Sequence, residues 1–161
     1  MKIKTIALMG ILTAGSALLT IYFMVPYAIG YFNLGDVLVL SFGVVFTPLL
    51  SLLAGIGPMI GDYALGYGLF APFTLVIKGL EALIVALLYW RLPKSMKWVA
   101  FLLGGLFMAF AYGFAYVFTE GGQWGVFFTY FIPDSIQGIV SATLAFLLSP
   151  ILVKLKQGTL K

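Results

Sequence analysis

The chain has 161 residues, of which 63% are hydrophobic and 9% charged, with a mean hydropathy of +1.14. Such a composition belongs to a polytopic membrane protein and not to a soluble domain, and the length suits one domain over residues 1–161. With no Cys and no His, the usual residues of disulfides, zinc sites and Ser-His or Cys-His catalysis are missing. No G-x-x-x-x-G-K-[ST] sequence is present, so no P-loop cradles ATP phosphates. The net charge of +4 is carried in short loops and termini; it reads as membrane topology and not as a nucleic-acid surface.

In chain order, the first apolar segment covers about 5–25, preceded by Lys2 and Lys4. It is too long for the core of a signal peptide and reads as a membrane helix. On it Ala7, Gly10, Ala14 and Ala17 recur at three- and four-residue spacing. A small-x-x-x-small stripe lets another helix approach closely in lipid, either inside the bundle or from a partner subunit.

The second segment, 36–66, is long for one crossing and short for two. Positive charge decides its count. Lys2 and Lys4, the Arg91–Lys97 loop and the Lys154, Lys156, Lys161 tail should all be cytoplasmic. An even number of crossings must then separate residue 4 from residue 91. Pro48 supplies the break, because proline suits the first turn of a helix and disrupts its interior. Two short helices, 36–46 and 48–66, follow. A helix of 11 residues rises only about 17 Å, so its ends must be buried in protein or line a polar cavity.

The third apolar run, Phe70 to Trp90, contains Lys78 and Glu81. A charge near the membrane midplane costs roughly 2.5–3.5 kcal/mol on insertion scales and usually faces a bundle interior. Three residues apart, the two share a helix face. They are read either as part of a solute pocket or as an ion pair holding helices together. Asp62, near the outer end of the preceding helix, is placed to reach Lys78. Further segments at 98–118 and 133–153 complete six helices with both termini cytoplasmic.

The outer loops and adjoining helix ends, about 22–36, 63–73 and 112–134, hold most of the aromatics, including Tyr27, Tyr31, Tyr112, Tyr116, Trp124 and Tyr130. Part of this is an interfacial belt; the outer excess suits walls around a small flat organic ligand. Few polar residues accompany it. Asn33 and Asp36 flank Gly35, with Asp36 read as an N-cap. Asp134 and Gln137 follow Pro133 with the spacing of a capping box, Gln137 being free to point inward instead. Gly121 and Gly122 form a turn or a mobile lid. The site expected from these residues takes Asn33, Lys78, Glu81, Tyr112, Trp124 and Gln137 as substrate-binding. Asp36, Asp62 and Asp134 are structural polar groups, with no catalytic or metal residue.

The order of three stretches, "YFNLGDVLVLSFGVVFTPLLSLLAGIGPMIGDYALGY", "FAPFTLVIKGLEALIVALLYWRLP" and "FIPDSIQGIV", together with Gly10-x-x-x-Ala14 in the first helix, resembles the substrate-binding S component of energy-coupling factor (ECF) vitamin transporters. The resemblance implies an all-α, six-helix membrane protein of the bacterial plasma membrane that binds a vitamin near its outer face. It implies docking of the Ala7, Gly10, Ala14, Ala17 stripe on a transmembrane T subunit. Two cytoplasmic ATPase subunits would consume the ATP, so this chain would need no cofactor. The "IKGLE" and "PDSIQG" stretches are most similar to members handling hydroxymethylpyrimidine or pyridoxine-like compounds, with riboflavin and other vitamins open. The rival readings are a stand-alone ion-coupled transporter using Asp62 or Glu81, a membrane enzyme and a purely structural subunit. The sequence shows no internal repeat of the kind transporters carry and no nucleophile–base constellation.

Overall fold

The computed structural model describes residues 3–27 and 30–159. Lys2 and Lys161, which contribute to the inside-positive reading, lie outside the described residues. Five helices are long and apolar enough to cross a membrane, and a shorter apolar helix joins them, giving the six-helix membrane architecture expected.

Helix α1 (Ile3–Tyr22) leads into an antiparallel hairpin, β1 (Met24–Tyr27) and β2 (Gly30–Asn33), in register from Met24 opposite Asn33 to Tyr27 opposite Gly30. From sequence this stretch reads as loop; the structure makes it a hairpin. Helix α2 (Asp36–Val45) is ten residues long, and all but one of them are buried. At about 1.5 Å per residue it cannot cross the bilayer alone, so its ends are covered by protein. The chain turns at Thr47, Pro48 takes the first position of α3 (Pro48–Ser51), and a 3-10 stretch, Leu52–Gly55, leads into α4 (Ile56–Leu65). The tightened stretch precedes Pro58, which has no N–H to give the carbonyl of Ala54. Together Pro48–Leu65 make one membrane-length segment.

Helix α5 (Ala71–Leu88) carries Lys78 and Glu81; α6 is Lys97–Thr119 and α7 is Trp124–Thr159. The last helix departs from expectation. It begins nine residues before Pro133, and both Pro133 and Pro150 lie inside it. Prolines are tolerated there because neighbouring helices support the freed carbonyls. At 36 residues it outruns the bilayer core. Gly121 and Gly122, at φ 69° and 86°, make the turn between α6 and α7, a backbone that side chains rarely adopt.

Two contacts set the frame. The apolar core gathers Val39, Leu40 and Phe42 of α2 with Val85 of α5 and Phe101 of α6. Helices α6 and α7 touch backbone to backbone where Gly105 meets Gly138: a Cβ on either would stand 2.5 Å from the other's carbonyl oxygen. On the side of that crossing toward the α6–α7 turn the helices present Met108, Tyr112, Asp134 and Gln137 to the interior.

Candidate functional site

A small cavity lies between the hairpin and helices α4 to α7, walled by Tyr31, Asp62, Thr74, Lys78, Tyr112 and Gln137 among others. Two of its wall residues, Lys78 and Gln137, meet at Asp36. At the first position of α2 this carboxylate makes no cap; Gly35 precedes the helix instead. One Asp36 oxygen accepts from the Lys78 ammonium, and the other accepts from Gln137 Nε2 at 2.6 Å. The N-cap expectation therefore fails because two side chains from α5 and α7 outcompete the local N–H groups. Gln137 is used at both ends, its Oε1 accepting the Asn33 backbone N–H at 2.8 Å. Asn33 Oδ1 in turn accepts the Gly35 N–H at 2.8 Å and the Thr20 hydroxyl at 3.3 Å. Helices α1, α2, α5 and α7 and the hairpin are thus tied to one buried network.

The Lys78–Glu81 pairing is looser than expected. Glu81 Oε2 lies 3.6 Å from Lys78 Nζ, and neither Glu81 oxygen has a hydrogen-bond partner. It is fully buried one turn below Lys78 and does not reach the cavity wall. Asp62 does reach the wall, but it does not contact Lys78. It accepts hydrogen bonds from Tyr31 and Thr74, and Thr74 also bonds the Tyr112 hydroxyl at 2.7 Å. Asp134 accepts from the Tyr27 hydroxyl at 2.6 Å. The capping-box expectation for Asp134 fails because the helix it was to open already runs from Trp124.

The hairpin is therefore fastened by a tyrosine on each strand, Tyr27 to α7 and Tyr31 to α4. Burial, reinforced by the adjoining carboxylates of Asp134 and Asp62, raises the pKa of both phenols. Both remain protonated donors. Behind them Tyr116 and Tyr130 stack with centroids 3.4 Å apart and planes 11° from parallel. The Lys78 ammonium lies 5.3 Å from the centre of the Tyr112 ring, within cation–π range.

Charge is unevenly distributed here. Asp36, Asp62, Glu81 and Asp134 are all buried, and Lys78 is the one basic residue buried with them among the described residues. Asp62 and Asp134 have no basic group within 4 Å among those residues. Their hydrogen-bond donors are neutral hydroxyls, from Tyr31 and Thr74 to Asp62 and from Tyr27 to Asp134.

Of the residues read from sequence, Asn33, Lys78, Tyr112 and Gln137 come together on the cavity wall, with Glu81 one turn beneath. Trp124 does not join them. It is 64% exposed at the start of α7, edge-on to Phe114, because the helix begins there instead of a loop folding back. Sequence reasoning missed Thr74, whose position one turn before Lys78 on the same face was a usable signal. On α1, Ala7, Gly10 and Ala14 are exposed, whereas Ala17 turns inward and is 8% exposed, its backbone beside Gly57 of α4.

Residues 1–154 match the family described as ECF-type riboflavin transporter, S component. The chain belongs to this family. Its members are substrate-binding subunits of transporters and not enzymes, and this S component is a multi-pass membrane protein. It is also 34% identical over 123 residues to a Pyrococcus woesei protein named "Uncharacterized protein in gap 3'region"; the match covers 72% of this chain and 80% of that one.

Proposed function

We propose that this S component captures a small heteroaromatic vitamin or precursor with a basic ring nitrogen or amino group, of the hydroxymethylpyrimidine or pyridoxine kind. The supporting observation is the pair of cavity carboxylates, Asp62 and Asp134, that lack a cationic partner. A protonated or amino-substituted ring supplies the missing donors, and Tyr112, Tyr116 and Tyr31 offer faces for stacking. Lys78, Asn33 and Gln137 suit the hydroxyl groups of such a ligand. As folded, the cavity holds about 30 Å³, room for a single water. Entry therefore requires Tyr27 and Tyr31 to release their carboxylates and the hairpin to lift.

Riboflavin is the second reading, favoured by the description of the matching family. It is larger and neutral, and would use the same stacking faces with its polyol on the carboxylates. Titration of the purified protein with hydroxymethylpyrimidine, pyridoxine and riboflavin separates the two. The expected result is tightest binding of a basic single ring, weakened at least about tenfold, or 1.4 kcal/mol, by Asp62→Asn. Tighter binding of riboflavin, indifferent to Asp62→Asn, would replace the first reading with the second.

Transport would depend on partners: a membrane T subunit and two ATPase subunits that use the ATP, in the plasma membrane. The exposed stripe Ala7, Gly10, Ala14 is the docking face in this reading. Nothing lies within 4 Å of where a Gly10 Cβ would stand, so a neighbouring helix could approach closely. Gly10→Trp with Ala14→Trp is expected to abolish assembly and uptake while leaving ligand binding by the isolated chain unchanged. Normal co-purification of that variant with the ATPase subunits would remove the stripe from the interface.

A further inference from the structure

Helices α6 and α7 are in closest contact at Gly105 and Gly138. On the outer side the space between them belongs to the cavity described above. Toward the cytoplasmic end it opens instead to the outside of the bundle. A furrow of about 290 Å³ begins just inward of the crossing, walled by Leu102 and Trp98 of α6 and Ile139 and Thr143 of α7. At Phe146 it meets a wider groove of about 690 Å³, lined by Tyr89, Leu147, Pro150 and Val153 and rimmed by Lys94, Lys97 and Lys154. Phe146 lines both, so the apolar track and the basic mouth adjoin there.

The mouth has a one-sided charge. All five acidic residues lie elsewhere: Glu120 is in the outer turn and the other four are buried around the cavity. Lys94 and Lys154 are exposed, with no carboxylate within 4 Å among the described residues. Lys97 is held back over the rings of Tyr89 and Trp90, at 4.3 and 5.0 Å from their centres. Lys156 also lies over Trp90, 4.5 Å from its centre, and donates to the Val44 carbonyl at 3.2 Å. Aromatic rings and a helix-end carbonyl thus fix two lysines, while two remain at the mouth for an anion. Proline adds a polar feature, since Pro150 has no N–H to give the Phe146 carbonyl.

We infer that this groove is a binding site for one anionic glycerophospholipid of the inner leaflet. The phosphate sits between Lys94 and Lys154, and an acyl chain lies along Leu147 and Phe146 into the furrow at Leu102 and Ile139. Charge complementarity favours this occupant over a neutral lipid, since basic pockets between membrane helices on the cytoplasmic side select anionic headgroups. The apolar track favours a lipid over a free anion. Bound there, the lipid wedges the inner ends of α6 and α7 apart at a fixed spacing.

The test is native mass spectrometry of the purified protein exchanged with phosphatidylglycerol or phosphatidylcholine of identical chains. Expected is one retained phosphatidylglycerol, preferred over phosphatidylcholine by about thirtyfold, the order set by two lysines beside an anionic headgroup. Lys94→Gln with Lys154→Gln should reduce retention to the phosphatidylcholine level without changing the melting temperature. Thr143→Trp, which fills the furrow, should lower phosphatidylglycerol retention with both lysines in place. Inorganic phosphate should not displace the lipid. Equal retention of the two lipids by the unaltered protein, or an unchanged preference in the lysine variant, would overturn the site. Displacement by inorganic phosphate would reduce it to a simple anion site. Equal retention together with failure of the lysine variant to assemble with the ATPase subunits would instead make the groove a protein interface, and would also overturn it.

Discussion

Lys78→Met should destabilise the protein by roughly 3–5 kcal/mol, the cost of leaving a buried charge without its partner. The geometry specifies which partner matters. Lys78 donates directly to Asp36, while Glu81 is 3.6 Å away. A second change at Asp36 should therefore restore stability better than one at Glu81. Asp36→Asn keeps an oxygen for the Gln137 amide and removes the stranded charge. In Lys78→Met with Glu81→Leu, the Asp36 carboxyl is left with the Gln137 amide as its remaining partner, and recovery should be partial. Melting curves of the single and double variants read this order directly. Ligand titration then addresses the cavity role of Lys78. The stabilised Lys78→Met, Asp36→Asn protein is expected to bind at least about tenfold more weakly. Full affinity in that variant would make Lys78 a purely structural cation.

Gly105→Val is expected to be among the damaging changes outside the polar network. Its Cβ would stand 2.5 Å from the Gly138 carbonyl oxygen, and a main-chain atom of a packed helix cannot swing aside as a side-chain end can. The helices must separate or tilt, and overpacking of this kind costs typically 1–3 kcal/mol. The same displacement reaches the cavity, because Met108 and Tyr112 follow Gly105 by one and two turns and Gln137 adjoins Gly138. Melting temperature and ligand affinity should therefore fall together. Gly10→Ala provides the contrast: its Cβ meets nothing within 4 Å, so stability should be unchanged. Equal melting temperatures for the Gly105 and Gly10 variants would contradict the crossing.

These two effects rest on features of different legibility. Lys78 and Glu81 stood out because charge inside an apolar run is costly and needs a protein-lined environment. The crossing count was readable because lysine and arginine placement follows topology and Pro48 marks a break. Asp36 was misread because Gly35-Asp36 at a helix start looks like a local cap, whereas its partners lie 42 and 101 residues away. Asp134 and the start of α7 were misread for a related reason. Pro133 resembles a helix opening in isolation, yet in the bundle the aromatic run Trp124–Ile132 is already helical ahead of it. The hairpin was passed over as loop, and with it the reason Tyr27 and Tyr31 oppose Asp134 and Asp62. Local signals located the polar residues; long-range pairing decided what each one does.

In the proposed function the acid-lined cavity beneath the hairpin holds the transported molecule. Small molecules released on denaturing protein purified from cells grown in rich medium, identified by mass spectrometry, test it most directly. A basic heteroaromatic vitamin or precursor is expected in near-equal amount to the protein, and its loss is expected from an Asp62→Asn, Asp134→Asn variant that melts normally. The same molecule carried in full by that variant would rule the cavity out as its site.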